Sequence, residues 1–347
     1  MAENEMRLHW ESLQDFTRKI FETAGLPPQD AAIEAEVLVW ANLRGIDSHG
    51  VLRLPWYLDF AERGVMNVRP DIRVLKETPA VLYLDADRAF GPVVTVLAME
   101  KVVEKARQVG IGWALIRNLT HQGAMAYYSL MAARAGMAGM AIVCSPPNMA
   151  PFGARAAGLH NSPIAIAVPA ADHPIVVDFA TCAVSEGKVR LYKTEGKRVP
   201  DGWVLDGEGN FSTDPNDAYE DGAIAPLGGD QGHKGYGLAV AIDLLGGILS
   251  GATSAAMAGR YGNNFLFQVI DPGAFGDPSD FRRGIEDYVH YVTSARRRDG
   301  VDQILLPGQI EQIRRAEHLE HGLRIEPEVW NQLKELGRSM GIELEEV

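Results

Sequence analysis

Residues 80–145 read AVLYLDADRAFGPVVTVLAMEKVVEKARQVGIGWALIRNLTHQGAMAYYSLMAARAGMAGMAIVCS. Three short apolar runs, Ala80–Leu84, Ile111–Arg117 and Ala138–Cys144, alternate with two longer stretches of helical periodicity, Pro92–Gln108 and Ala124–Ala135. The spacing predicts strand, helix, strand, helix, strand, and therefore an α/β fold. Downstream, the apolar runs Ile164–Val168 and Ile175–Val177 extend the sheet, and Asp201–Asp214, rich in Gly and Asp, reads as an excursion of turns. A helix over Tyr236–Leu249, a strand over Phe265–Ile270, a charged helix over Pro278–Arg296, a strand over Gln303–Leu306 and polar helices complete the chain. Upstream, Ile33, Val37, Trp40 and Ala41 fall on one stripe of a helix over Pro28–Leu43 that Gly45 ends. Asp47–Tyr57 then turns into another helix, with Pro55 in its first turn and Arg53 and Tyr57 on one face.

A chain of 347 residues with 46% hydrophobic composition can bury a sizeable core, as two domains or one large α/β body. No apolar run reaches the roughly 18 to 20 residues that span a bilayer, and Met1–Trp10 is polar, so the expected location is the cytoplasm. Cys144 and Cys182 supply neither a disulfide framework nor a four-ligand metal set, and H-E-x-x-H spacing is absent, so no metal is expected. A net charge of −13 opposes nucleic-acid binding. It leaves room for an anionic substrate, because a few buried arginines can set the local field against the global one.

Three histidines stand beside glycine or polar residues at element ends: His49 in Asp47-Ser48-His49-Gly50, His121 in Thr120-His121-Gln122-Gly123, and His233 beside Lys234. A strand leading straight into a helix leaves free N–H groups facing a cleft, which places Thr120–Gly123 where α/β proteins hold ligands. Hydride transfer to a carbonyl or imine needs a proton donor of near-neutral pKa, and His49 and His121 both qualify. A 2-oxo or 2-imino acid also carries a carboxylate that Arg53 can clamp bidentately. Each residue taken alone reads as an ordinary turn or solvated-helix residue. No strand is followed by G-x-G-x-x-G, so a standard Rossmann domain is disfavoured. The Gly228–Gly235 loop, at a helix start with Lys234, could receive phosphate or be a plain cap.

Together these segments closely resemble the malate/L-lactate dehydrogenase-like oxidoreductases, a family that includes ureidoglycolate, sulfolactate, diketogulonate and cyclic imino-acid enzymes. The carriers are Arg44–Gly50 with Arg53, Pro55 and Tyr57; His121-Gln122-Gly123; Pro151-Phe152-Gly153; Asp178-Phe179-Ala180-Thr181; Pro226–Gly229 through Lys234–Leu238; and Pro307-Gly308. The resemblance runs nearly end to end. It implies a non-Rossmann mixed-sheet α/β fold with helical N- and C-terminal segments, binding NAD or NADP, and a homodimer whose active sites lie near the interface. The division it implies is a helical segment over 1–60, a substrate-side domain over 61–135 with 305–347, and a nucleotide-binding domain over 136–304. By the match, His49 is the proton donor and acceptor, with Ser48, Arg53 and Tyr57 around the substrate and His121 close by. Ser145, Asp178, Phe179, Ala180, Thr181, Lys234, Pro307 and Gly308 match cofactor-contacting positions.

Departures from the family pattern bear on the cofactor side. Leu159-His160-Asn161-Ser162-Pro163 replaces Gly-Thr-Asn-Pro, Cys182 follows Thr181, and Gln309 stands where an acidic residue commonly follows the Pro-Gly turn. No clear basic cluster marks a 2′-phosphate pocket; His173 is a candidate for one, or a turn residue before Pro174. The expected mechanism has Arg53 orient a small carboxylate substrate while His49 supplies the proton, its tautomer fixed by Asp47 or a neighbour. The rivals are reduction of cyclic or N-alkyl imino acids by the same histidine, a hydrolase built on adjacent Ser48 and His49, and a non-catalytic binding protein.

Overall fold

The computed structural model describes residues 7–251 and 262–343; Met1–Met6 of the polar N-terminal stretch lie outside them. The chain begins with β1 (Arg7–Leu8), α1 (Trp10–Thr23), α2 (Pro28–Leu43) and α3 (Leu54–Glu62), followed by β2 (Arg73–Glu77), β3 (Val81–Asp85), α4 (Gly91–Val109), β4 (Ile111–Leu119), α5 (Ala126–Arg134) and β5 (Ala138–Cys144). Next come β6 (Ile164–Val168), β7 (Ile175–Phe179), α6 (Glu186–Thr194), β8 (Val204–Leu205), β9 (Phe211–Ser212), β10 (Ala223–Ile224), α7 (His233–Ile242) and β11 (Asn263–Ile270). The chain ends in α8 (Pro278–Thr293), α9 (Gln309–His321), β12 (Leu323–Arg324) and α10 (Pro327–Ser339). No helix among the described residues is long and apolar enough to cross a membrane.

One seven-stranded sheet, ordered β2-β3-β4-β11-β5-β6-β7, carries the architecture. Only β3 and β4 pair in parallel; the remaining neighbours are antiparallel, so the sheet is mixed, as expected. β11 arrives late in the chain yet lies in the middle, Phe267 facing Ala114 of β4 on one side and Ala141 of β5 on the other. Helices α4 and α5 bury Val94, Met99, Val102 and Tyr128 against Ile116, Phe265 and Phe267 of one sheet face. A second core joins α1 and α3 to α10 through Phe16, Ile20, Leu54 and Trp330.

Helix α2 matches its predicted bounds but not its single stripe. Val37, Trp40 and Ala41 face the sheet core while Leu38, Val39 and Leu43 face the helical core, so it is buried on two sides. The helix expected over Tyr236–Leu249 starts at His233 and yields at Asp243 to a π turn and then a 3-10 turn, where Gly246 and Gly247 loosen the helical ladder. Gln303–Leu306 is not a strand. Pro307 has no N–H to continue a ladder, and its carbonyl takes one bond from Val176 before Gly308, at φ +88°, starts α9.

Two packing details give measurable consequences. Gly91 lies flat on the chain carrying His121, and a Cβ there would stand 2.3 Å from the His121 carbonyl oxygen. Gly91→Ala is expected to cost about 1–3 kcal/mol by overpacking, read as a lowered midpoint in chemical denaturation; an unchanged midpoint would show that the two segments are not pressed together. Glu34 of α2 is fully buried, its carboxyl near the start of α4 at Val93 without a hydrogen bond of normal geometry. Burial pushes this carboxyl well above the usual range, with Asp30 adding in the same direction. A raised native pKa means stability is greatest below the unfolded-state value and falls as pH rises. Glu34→Gln should therefore stabilise the protein at neutral and alkaline pH and flatten that decline; equal pH dependence of the two proteins would contradict it.

Candidate active site

The histidine-bearing turn is built from the end of α2. Asn42 accepts the Val51 N–H at 2.9 Å through Oδ1 and donates from Nδ2 to Asp47 Oδ1 at 2.6 Å. Gly50 passes so close that a Cβ would sit 2.2 Å from that Oδ1. Asn42 thus pins two successive 3-10 turns, Asp47–His49 and Val51–Arg53, that lead into α3. Asp47 is engaged in that staple. The neighbour that meets His49 is Ser48, whose Oγ lies 2.9 Å from Nδ1, so the adjacent pair does touch.

His49 and His121 stack, ring centroids 5.5 Å apart and planes 20° from parallel. Tyr57, fully buried on α3, places its hydroxyl 2.6 Å from His121 Nδ1, and the Gly123 N–H approaches the same nitrogen at 3.3 Å. An N–H can only donate, so Nδ1 is an acceptor and the neutral ring carries its proton on Nε2. Trp56 packs edge-on to His121 and lies under the Arg53 guanidinium, 5.1 Å from its ring centre. Arg53 Nε holds the Ser48 carbonyl at 2.7 Å, and its two terminal nitrogens make no hydrogen bond or ion pair among the described residues. Desolvation by the surrounding protein, then the Arg53 charge, lowers His49 to about 4; desolvation likewise holds His121 well below its ordinary value, with Arg53, His49 and His160 adding. Water still reaches both half-buried rings through the open cleft.

That cleft, of about 1460 Å³, is lined by Ser48, His49, Arg53, His121, Ser145, Asp178, Phe179, Ala180, Pro307 and Gly308. It exceeds the roughly 300–1,000 Å³ of a common small-molecule pocket. Ser145 donates to Asn263 Oδ1, Asn263 Nδ2 donates to Gln122 Oε1 at 2.9 Å, and so the end of β5 is tied to the loop carrying His121. Asp178 Oδ2 accepts the Ala126 N–H at 2.8 Å, at the start of α5. Crowding by protein pushes its carboxyl up to about 7, with Glu311 adding to the rise, while its exposure to cleft water tempers the effect.

Other expected positions fall elsewhere. Thr181 is buried, its hydroxyl donating to the Asn161 carbonyl at 2.8 Å, and it pins β7 to the 159–163 loop without lining the cleft. Lys234 is exposed on the first turn of α7, outside this cleft, as is the rest of the Gly228–Gly235 loop. Gly235 instead packs against the Leu227 and Thr181 backbones, and His233 stands edge-on to Phe152. His173 is exposed and lines no part of the cleft. His160, from the departing loop, does line it, with the Ser162 N–H at 3.1 Å from Nδ1. Asn42, Arg44 and Glu311 carry no sequence signal as site residues, because only the fold brings them to the histidines; Trp56 and Gln122 adjoin Tyr57 and His121 in sequence, but an indole and an amide have no acid–base chemistry to single them out.

The family model described as malate/L-lactate dehydrogenase matches residues 8–334. A malate dehydrogenase of Pyrococcus horikoshii is 37% identical over 98% of this chain and 97% of its own. An L-sulfolactate dehydrogenase of Methanocaldococcus jannaschii is 35% identical over 99% and 98%. Among solved structures, malate dehydrogenase from Pyrococcus horikoshii OT3 superposes with a TM-score of 0.90 at 34% identity, covering 99% of both chains. A delta1-piperideine-2-carboxylate reductase from Pseudomonas syringae pvar. tomato gives 0.84 at 29% identity, covering 95% of this chain and 99% of its own. With an end-to-end family match and the histidine–arginine cleft in place, the chain belongs to the malate/L-lactate dehydrogenase family of oxidoreductases.

Proposed function

We propose that the protein moves hydride between a nicotinamide cofactor, NAD or NADP, and the α-carbon of a small 2-hydroxy or 2-oxo acid. The observation that carries this reading is the Arg53 guanidinium, its terminal nitrogens unbonded, beside two stacked neutral histidines in a cleft large enough for a dinucleotide and an acid together. The cofactor fits this chain: Arg44, almost wholly buried in the cleft wall, has an Nε without a partner, and Ser145, Asp178, Phe179 and Ala180 line the remaining length. When bound, it supplies or takes the hydride at the nicotinamide C4. The α-carboxylate meets Arg53 in a two-point contact that fixes the α-carbon.

The histidines then divide the work. His121, with Nδ1 engaged by Gly123 and Tyr57, keeps its Nε2 proton and donates a hydrogen bond to the substrate oxygen. His49 faces a hydroxyl that can either donate or accept, so its ring can release or take a proton at Nε2 while Ser48 adjusts. It takes the hydroxyl proton during oxidation and returns it during reduction. A bound carboxylate neutralises Arg53, removing part of what holds His49 down. The same arrangement would protonate an imine nitrogen, a reading favoured by the likeness to the piperideine-carboxylate reductase structure. Leu244, Leu245, Ile248 and Leu249 are exposed near the π turn, and α8 buries no residue despite Phe281, Ile285, Tyr288 and Val289 on one face. These surfaces support a homodimer. Two unbridged buried cysteines suit a reducing cytoplasm.

His49→Ala should lower turnover by about two to four orders of magnitude while cofactor fluorescence titrations stay unchanged; near-normal turnover removes His49 from the role. The acid limb of kcat/KM for hydroxy-acid oxidation should fall near pH 4 in the free enzyme, since the base is lost only as pH drops through its lowered pKa. Arg53→Gln should move that limb upward toward the ordinary histidine range and raise the KM for 2-oxo acids, whereas Arg53→Lys should raise KM through loss of the planar fork. An unmoved limb and KM in both variants would rule out the clamp.

A further inference from the structure

Arginines scattered through the sequence gather around Arg44, which alone of them reaches Gly308 and lines the cleft. Arg44, at the end of α2, is 5% exposed and lines the cleft; its Nη1 meets Gln312 Oε1 and its Nη2 the Gly308 carbonyl, both at 3.4 Å, while Nε has no partner. The Arg314 side chain packs on Gly45, within 2.7 Å of where a Cβ would stand. Burial lowers the Arg44 pKa; the Glu311 charge opposes this, and Arg315 and Arg134 add to the lowering. None of these four arginines forms an ion pair within 4 Å among the described residues. In a chain with 46 acidic and 33 basic side chains, these guanidiniums outnumber the two carboxylates whose charges act on Arg44, and the local excess of positive charge suits an anion from outside the protein. Asp178 and Glu311 are the nearby counter-charges, and Asp178 is itself pushed toward neutrality.

Gly308 opens the 13-residue helix α9, whose Gln309 N–H is taken by the Leu306 carbonyl while those of Ile310 and Glu311 have no helical acceptor. A side chain at position 308 would strike Val176, its Cβ 2.8 Å away, so the backbone approaches closely there. We propose that Arg44, backed by Arg314 and Arg315, takes a phosphate group of the nicotinamide dinucleotide at the Gly308 end of the cleft. This rests on the nicotinamide reading above. The phosphate is either one of the pyrophosphate shared by both cofactors or the 2′-phosphate of NADP.

The test is fluorescence titration of wild type, Arg44→Gln and the double variant Arg314→Ala/Arg315→Ala with NADH, NADPH and reduced nicotinamide riboside, which has no phosphate. Melting curves and sedimentation run in parallel. Arg44→Gln is expected to weaken dinucleotide binding at least about tenfold and to leave the riboside within about twofold. Equal losses for NADH and NADPH assign the pyrophosphate; loss confined to NADPH assigns the 2′-phosphate. Should Arg44→Gln fail to fold, the double variant at exposed or half-exposed positions still decides: weaker binding with a shallower salt dependence supports the site. Dinucleotide binding unchanged in the folded variants, equal loss of the riboside, or an altered oligomeric state with normal binding overturns it. Failure of wild type to bind any of the three ligands instead refutes the nicotinamide reading itself.

Discussion

Strand β11 pairs antiparallel with β4 on one side and β5 on the other, and the cleft depends on that double pairing. The loop after β4 carries His121 and Gln122; the end of β5 leads to Ser145. Asn263, the first residue of β11, sits between them and satisfies both, accepting from Ser145 and donating to Gln122 and to the Thr120 carbonyl. Its orientation follows from chemistry: a carbonyl can only accept, so Nδ2 must face Thr120 and Oδ1 must face Ser145. A slip of one residue in β11 would turn Phe265, Phe267 and Val269 out of the core, so the apolar face that stabilises the sheet also fixes the polar link. The same pressure of packing appears where Gly91 lies against the His121 carbonyl.

The electrostatics of the cleft run against those of the whole molecule. An acidic chain places Arg53 and Arg44 in one cavity and keeps its carboxylates weakly engaged with them. Burial, with the Arg53 charge adding, keeps the two histidines neutral at physiological pH, which suits a site that accepts a proton from a hydroxy acid and accommodates an anionic ligand. Tyr57 and Ser48 then differ in what they permit at the two rings, one held by a backbone donor and the other left free to adjust.

Much of the fold was legible because its signals are local. Helix α2 and strands β5 and β6 fall on their predicted bounds, since each is a run with its own periodicity bracketed by Pro, Gly or Asp. Gln303–Leu306 misled because the apolar run leads into Pro307, which has no N–H, and Leu306 gives its own N–H to the Gln309 side chain. Of the site, His49, Ser48, Arg53 and Tyr57 were readable from eleven consecutive residues, 47–57. Asn42, Gln122 and Asn263 act through contacts that sequence spacing does not encode, and Arg44 and the arginines near it come from three separate helices or their ends. The Gly228–Gly235 loop shows the converse: Gly235 answers to close backbone packing at Leu227 and Thr181, and Gly228 to the Gln231 backbone, not to this cleft.

The central claim is that the cleft binds a nicotinamide cofactor and a small carboxylate acid together. It is tested most directly by titrating the purified protein with NADH and NADPH by fluorescence, then following loss of nicotinamide absorbance against 2-oxo acids, cyclic imines and 2-oxo acids with methylamine. The account predicts saturable binding of at least one cofactor and its oxidation by a substrate that carries an α-carboxylate. Binding of neither cofactor, or turnover indifferent to that carboxylate, would contradict it.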